Sequence, residues 1–177
     1  YTLRRVLGDE VTTIAGSSKV AMGWKPPKDG DALTKATLEI HAFAVLPDRI
    51  LIFAYGWLRE LRDGRVTTLG GKYWKGRDPE PRQDGPVEDA TFGWVERVKV
   101  IGSDVYFIDR DKDSTRTLRR LRGGVVTTLG ALNTHTSYKD GPLAKAGFES
   151  NVILVHGGGD RLFTYGGDCR VREIELD

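Results

Sequence analysis

The 177-residue sequence has a single cysteine and no long apolar run, and each scarcity excludes a class of protein. Cys169 has no second cysteine to pair with, so the chain is not a small secreted scaffold held by internal disulfides. No stretch approaches the roughly 18 apolar residues of a membrane-spanning helix, and the first residues lack the pattern of a signal peptide. Helical periodicity is almost absent, which leaves strands as the predicted regular structure.

Charge of one sign is also scarce. The 27 basic and 25 acidic residues leave a formal net charge of +2, so general attraction to nucleic acid or an anionic membrane is not predicted. Glycine, by contrast, is abundant. The 22 glycines cluster between short apolar runs, as an all-β chain with many turns requires.

Two motifs recur along the chain. The first, an arginine-bearing segment followed by Val-Thr-Thr, occupies residues 2–16, 57–70 and 117–130, with a truncated copy at 170–177. The second is an Asp-Gly pair, whose glycines are Gly30, Gly85 and Gly141, spaced by 55 and 56 residues. A fixed period of this kind indicates a repeat protein built from one supersecondary unit.

Each repeat predicts four strands after its Asp-Gly pair. Strand one is predicted at 41–46, 95–101 and 151–156, and strand two at 49–54, 104–109 and 161–165. The nearly continuous apolar runs of strand two are typical of strands covered on both faces. Strand three carries the recurring arginine and strand four the Val-Thr-Thr. Tight hairpins between strands three and four are predicted at the Gly-Asp, Asp-Gly and Gly-Gly pairs of residues 8–9, 63–64 and 123–124.

Four short antiparallel strands at this spacing predict the blade of a β-propeller. The end of one blade and a linker fall at 1–28, complete blades at 29–83 and 84–139, and a blade without its last strand at 140–177. About three blades are fewer than the roughly four of the smallest rings. We therefore expect the missing blades to come from a longer chain or from a second copy.

The segments DGPVEDATF, DVYFID and TLRRLRGGVVTTLG, together with their copies, resemble the NHL-repeat family of β-propellers. The resemblance spans nearly the whole chain and implies an all-β propeller segment of four-stranded antiparallel blades. It also implies RNA binding as an alternative function, because some NHL propellers bind RNA. The matching motifs belong to the scaffold and name no ligand.

Asp109, Asp111 and Asp113 resemble the opening of a calcium loop, in which alternate carboxylates converge on the cation. The match ends there, because Ser114 and Arg120 stand where an EF-hand needs glycine and glutamate. The alternative is a solvated loop in which the intervening Arg110 and Lys112 neutralise the carboxylates. We predict no cofactor, with calcium at this run as the alternative.

No catalytic or metal-binding residue is assigned. His41, His135 and His156 belong to no two-histidine motif, and Cys169 has no adjacent catalytic signature. The glycine run at 157–159 lacks the Lys-Ser/Thr of a phosphate loop and predicts a turn between strands one and two. We therefore expect a protein that is not an enzyme; the alternative is a propeller enzyme of the lyase or lactonase type with an axial metal site.

The recurring arginines are Arg4, Arg59, Arg119 and Arg172. One interpretation is a basic face that binds RNA. The other is structural, with stems packed beside neighbouring blades and guanidinium groups on carboxylates or water. The small net charge favours the structural interpretation.

Aromatic and basic residues in the links between blades are the candidate partner contacts. They are Trp24, Lys25, Tyr73, Trp74, Lys75, Arg77 and Tyr138. Tyrosine, tryptophan and arginine are the usual anchors of interfaces, although aromatic residues also fill gaps between blades. The sequence thus predicts a protein-interaction or structural module in an extracellular or cell-surface assembly. Its expected partner is protein, with neither nucleic acid nor a membrane span.

Overall fold

The computed structural model describes residues 1–16, 26–72, 81–132, 140–146, 153–166 and 169–176. In these ranges the chain is all-β, as predicted. They contain fifteen strands and one short 3-10 helix, η1 (Leu143–Lys145). The strands form four antiparallel sheets.

The first sheet is a hairpin of β1 (Thr2–Leu7) and β2 (Glu10–Gly16). The second sheet has the order β3-β7-β6-β5-β4. Its strands are β3 (Gly30–Asp31), β4 (Ala42–Val45), β5 (Ile50–Ala54), β6 (Trp57–Arg62) and β7 (Arg65–Gly71).

The third sheet repeats this topology in the order β8-β12-β11-β10-β9. Its strands are β8 (Gly85–Pro86), β9 (Trp94–Ile101), β10 (Asp104–Arg110), β11 (Arg116–Arg122) and β12 (Val125–Leu132). The fourth sheet has the order β13-β14-β15. Its strands are β13 (Ile153–His156), β14 (Arg161–Tyr165) and β15 (Val171–Glu175).

The glycine of each of the first two Asp-Gly pairs begins a short strand of its own, which the four-strand prediction missed. In β3, Gly30 pairs with Val66, and in β8, Gly85 pairs with Val126, so each pair lies along the outer edge of the Val-Thr-Thr strand. Gly30 has φ +138° and Gly85 has φ +134°. These positive φ values strongly favour glycine, and they let the chain turn onto that edge.

The predicted hairpins between strands three and four are confirmed. Asp63-Gly64 and Gly123-Gly124 all have positive φ, as a two-residue turn of this kind requires. A register shift also recurs one position before each arginine, at Leu3/Arg4, Leu58/Arg59 and Leu118/Arg119. The extra residue lies in strand four each time, and such a bulge bends the strand that carries it.

The core lies between successive sheets, which pack face to face. Phe53 of the second sheet meets Phe107 of the third, with ring centroids 5.0 Å apart, and Phe92, which precedes β9, with centroids 5.8 Å apart. Further clusters join the first sheet to the second and the third to the fourth. Strands β5 and β10 are accordingly buried on both faces, as predicted.

The same prediction is wrong for strand two of the last repeat. Leu162 of β14 is buried against the third sheet, whereas Arg161 and Tyr165 are exposed. The outer face of β14 is open because no further sheet packs on it within the described residues.

Candidate functional site

All seven candidate contact residues lie outside the described residues: Trp24, Lys25, Tyr73, Trp74, Lys75, Arg77 and Tyr138. They belong to the links that lead towards strand one of the second, third and fourth sheets. The structure does describe the strand ends that adjoin these links.

Six buried or half-buried side chains gather at the ends of strands where the second and third sheets meet. We call them the rim cluster: His41, Tyr55, Trp94, Glu96, Arg110 and Arg116. His41 precedes β4 and Trp94 begins β9, while Tyr55 follows β5 and Arg110 ends β10. Strand-one starts and strand-two ends lie at the same end of an antiparallel sheet, which brings these residues together.

The aromatic part of the cluster joins the two sheets. The His41 imidazole stacks on the Trp94 indole, with centroids 4.9 Å apart and planes inclined by 4°. Tyr55 contacts both rings edge-on, at 4.4 Å from His41 and 5.7 Å from Trp94. Offset and edge-on contacts of this kind are the favoured aromatic geometries.

The charged part of the cluster is held together by one carboxylate. Glu96 accepts hydrogen bonds from Arg110 Nε at 2.6 Å and Arg116 Nε at 2.8 Å. Burial acts to raise the pKa of Glu96, but these two arginines outweigh it and hold the pKa below its ordinary value. The Arg110 guanidinium also lies over the Trp94 ring, 5.3 Å from its centroid.

His41 is held in its neutral form by this environment. Burial, with a smaller contribution from the charge of Arg110, lowers the pKa of His41 from 6.5 to about 4. Its Nδ1 atom is buried and has no hydrogen-bond partner among the residues that the structure describes. At neutral pH the imidazole is therefore an uncharged ring surface and a weak base.

The recurring arginine of strand three forms a different arrangement, which we call the Arg–Asp–Thr unit. In the second sheet, Arg59 donates to Asp29 at 2.9 Å, to the Lys28 carbonyl at 2.7 Å and to the Thr37 carbonyl. The Thr68 hydroxyl donates to the same Asp29 oxygen at 2.8 Å, and the Thr68 amide donates to the second oxygen of this carboxylate at 2.9 Å. The unit thus ties the Asp-Gly segment to strands three and four.

The third sheet repeats the unit. Arg119 donates to Asp84 at 2.8 Å, and Asp84 accepts from the Thr128 amide at 2.7 Å. Arg59 and Arg119 are 1% and 0% exposed, so neither is accessible to RNA. Arg172 donates to Asp140 at 3.0 Å, whereas Arg4 is exposed. The predicted contact with a carboxylate is thus confirmed for three of the four arginines, Arg59, Arg119 and Arg172.

Two of the three aspartates of the calcium-like run contact arginines. Asp109 is fully buried and accepts from Arg119 at 2.7 Å and from the Gly93 amide at 2.8 Å. Burial raises the pKa of Asp109, against the opposing charge of Arg119. Asp111 pairs with Arg82 at 2.9 Å, and Asp113 is exposed.

These contacts correct the prediction of a solvated loop neutralised by Arg110 and Lys112. Asp109 is withdrawn into the core because the third sheet offers it Arg119, and Asp111 reaches Arg82 of the preceding link. Among the described residues no group of three or more His, Cys, Asp or Glu is placed to hold a metal. The absence of a cofactor stays a prediction, with calcium at this run as its alternative.

The remaining candidates lie apart from the rim cluster along the chain. His156 is exposed and its Nε2 lies 2.9 Å from the Gly159 carbonyl oxygen, while Cys169 is an exposed free thiol. The predicted glycine turn between β13 and β14 is confirmed, with positive φ at Gly158 and Gly159. His135 lies outside the described residues.

Sequence reasoning considered His41 and Arg110 separately and missed Trp94 and Glu96 as their partners. One signal was present: both repeats place polar or aromatic residues directly at the ends of apolar strand one and strand two. The pairing across two sheets, however, depends on how the sheets pack, which strand patterns do not specify.

No family model matches the chain, and no curated protein matches it. Among the described residues, no helix is both long and apolar enough to cross a membrane. The function is therefore argued from the geometry above.

Proposed function

We propose that the chain is an NHL-type β-propeller segment, with four main antiparallel strands in each complete blade, that acts as a non-enzymatic protein-interaction or structural module. Face-to-face packing of sheets with a repeated strand order supports the propeller. The observation that carries the interaction function is the rim cluster, in which stacked aromatic rings and two arginines share one edge of the fold.

The composition and rigidity of the cluster suit a protein partner. Tryptophan, tyrosine and arginine are the residue types that most often dominate binding energy at interfaces. Glu96 fixes Arg110 against Trp94, so little side-chain freedom remains to be lost on binding. The side chains of Arg110 and Glu96 are 26% and 23% exposed, which leaves surface for a partner to cover.

The same chemistry favours binding over the lyase or lactonase alternative. His41 is uncharged at neutral pH and too weak a base to be poised for proton transfer. Glu96 is engaged by two arginines that hold it ionised. For the RNA alternative, burial of Arg59 and Arg119 removes the arginines that made it attractive. Protein binding through the rim is the function these residues support best.

The test is affinity capture from a secretory or cell-surface extract with immobilised wild type, the W94A/R110A variant and an off-rim control. The control, F43A/R62A, removes an exposed aromatic residue and an exposed arginine of the second sheet. We expect proteins retained by wild type and control to be depleted about tenfold or more on the rim variant. Circular dichroism verifies that the variants are folded.

Two outcomes would overturn the proposal. Equal retention of the same proteins on the rim variant would show that the cluster is not the contact surface. Loss of retention after ribonuclease treatment would assign the surface to RNA.

A further inference from the structure

The fourth sheet contains an open groove where the second and third sheets have a strand. Within the described residues this sheet ends at β15, and a groove of about 540 Å³ separates β15 from the Asp-Gly segment of its own repeat. Residues 140–143 line one side of the groove and residues 171–175 line the other.

The complete sheets show what fills this position. In the second sheet, β7 lies between β6 and β3 and pairs with both; in the third, β12 lies between β11 and β8. Both strands carry the sequence Gly-x-Val-Thr-Thr-Leu-Gly, at residues 64–70 and 124–130. The groove has the corresponding walls, a strand three and an Asp-Gly segment.

The polar half of the unit is already in place in the groove. Arg172 donates to Asp140 at 3.0 Å, as Arg59 donates to Asp29 at 2.9 Å. The Asp140 side chain is 84% exposed, against 38% for Asp29 and 40% for Asp84. Asp29 and Asp84 are less exposed because each accepts two hydrogen bonds from a threonine of strand four.

The register of an added strand follows from the two complete sheets. The unit threonine lies opposite the arginine in both, as in the pairs Arg59–Thr68 and Arg119–Thr128. The valine two positions earlier lies opposite a buried leucine, which is Leu61 or Leu121. On β15 the corresponding positions are Arg172 and Ile174, and Ile174 is 6% exposed at the edge of the core.

We propose that this groove binds an extended segment of the pattern Gly-x-Val-Thr-Thr-Leu-Gly, added as an antiparallel strand to β15. The segment's second threonine bonds Asp140 through its amide and hydroxyl, and its valine packs opposite Ile174. Backbone hydrogen bonds to β15 supply affinity, as in other cases of strand addition. The strand β2 of a second copy is the less suitable occupant, because β2 already pairs with β1 along its length.

Strand addition at this groove does not depend on the rim cluster. It is tested by fluorescence anisotropy with a labelled synthetic peptide of residues 123–132, GGVVTTLGAL, titrated with the full 177-residue chain. We expect saturable binding. A peptide with valine in place of the second threonine, or the protein variant D140N, should each weaken binding about tenfold or more.

Matched controls separate the groove from the rest of the surface. D160N alters an exposed aspartate in the β13–β14 turn of the same sheet and should leave the affinity unchanged. W94A at the rim should also leave it unchanged. Absence of binding, or equal binding of the threonine and valine peptides, would overturn the proposal. So would a self-associated form of the chain that excludes the peptide.

Discussion

At the scale of single residues, the Arg–Asp–Thr units explain why arginine recurs in strand three. A buried guanidinium is costly unless its donors are matched. The two terminal nitrogens of Arg119 donate to two carboxylates and to the Gln83 and Thr91 carbonyls, so that only Nε has no partner among the described residues. The planar fork allows this many fixed hydrogen bonds, which a lysine cannot reproduce. The unit therefore specifies the path of the Asp-Gly segment.

Replacing Arg119 by leucine should be strongly destabilising. The variant leaves Asp109 buried without its cationic partner, and loss of one member of a buried pair costs about 3 to 5 kcal/mol of unfolding free energy. Urea unfolding followed by circular dichroism measures the change. R97L, at an exposed position of β9, should change the free energy by about 0.5 kcal/mol or less.

A second variant identifies the cause. Adding D109N to R119L removes the unpaired charge, so part of the lost stability should return. If R119L is as stable as the wild type, the buried pair does not have the role described here.

Protonation of His41 should make the protein less stable in mild acid. The folded-state pKa of about 4 lies below the 6.5 of the unfolded chain, so the unfolded chain takes up the proton first as pH falls. The stabilisation is therefore complete above about pH 6.5 and is lost as the pH falls towards 4. The half-buried position makes the loss about 1 to 3 kcal/mol.

Urea midpoints measured between pH 7.5 and 4.5 test this. H41F keeps an aromatic ring against Trp94 and has no proton to gain, so its stability should vary less over this interval. An unchanged pH profile in H41F would refute the assignment to His41.

At the scale of elements, the sheets are spaced by contacts between glycine and a neighbouring backbone. A Cβ atom on Gly70 of β7 would overlap the Val87 carbonyl of the next repeat, and one on Gly130 would lie 2.5 Å from the Leu143 carbonyl. Because both residues lack a side chain, the Asp-Gly segment of the following sheet can lie directly against their backbone. In the first sheet the corresponding position is Ala15, which is fully buried.

G70A should destabilise the protein by about 1 to 3 kcal/mol, since the Val87 backbone must move to accept the methyl group. Thermal unfolding measures the loss. T67A, at an exposed position of the same strand, is the control and should have a smaller effect. Equal stability of G70A and wild type would contradict the close packing of these elements.

Sequence periodicity was sufficient to predict most elements but not their lateral contacts. Alternating turns and apolar runs located strands one to three and the hairpins because those features depend on neighbouring residues. The two-residue strands β3 and β8 were missed because Gly30 and Gly85 pair with residues about 40 positions away. The rim cluster was missed for the same reason, since His41 and Trp94 meet across two sheets.

At the scale of the whole molecule, the array exposes apolar surface at both ends. Val171 of the last sheet is 69% exposed, whereas Leu118 at the corresponding position of the third sheet is 1% exposed. Val6 of the first sheet is 68% exposed, whereas Leu61 of the second is 7% exposed. The two end faces thus correspond to faces that are buried between the inner sheets. Within the described residues no sheet packs on them.

Such faces favour association with protein. Exposed apolar patches of this kind mark interaction surfaces, and contact of one end with the other is a heterologous contact that builds a ring when it closes. We therefore propose that a second copy of the chain covers these ends, so that the chain associates with itself in solution.

Sedimentation equilibrium over a range of concentrations tests this association. We expect a mass that rises above the 19.6 kDa of one chain, and a return to 19.6 kDa in both V6K and V171K. V125K, which alters an exposed valine at a hairpin of the third sheet, should associate like the wild type. A mass of 19.6 kDa at every concentration, or association unaffected by V6K and V171K, would contradict completion by a second copy through these faces.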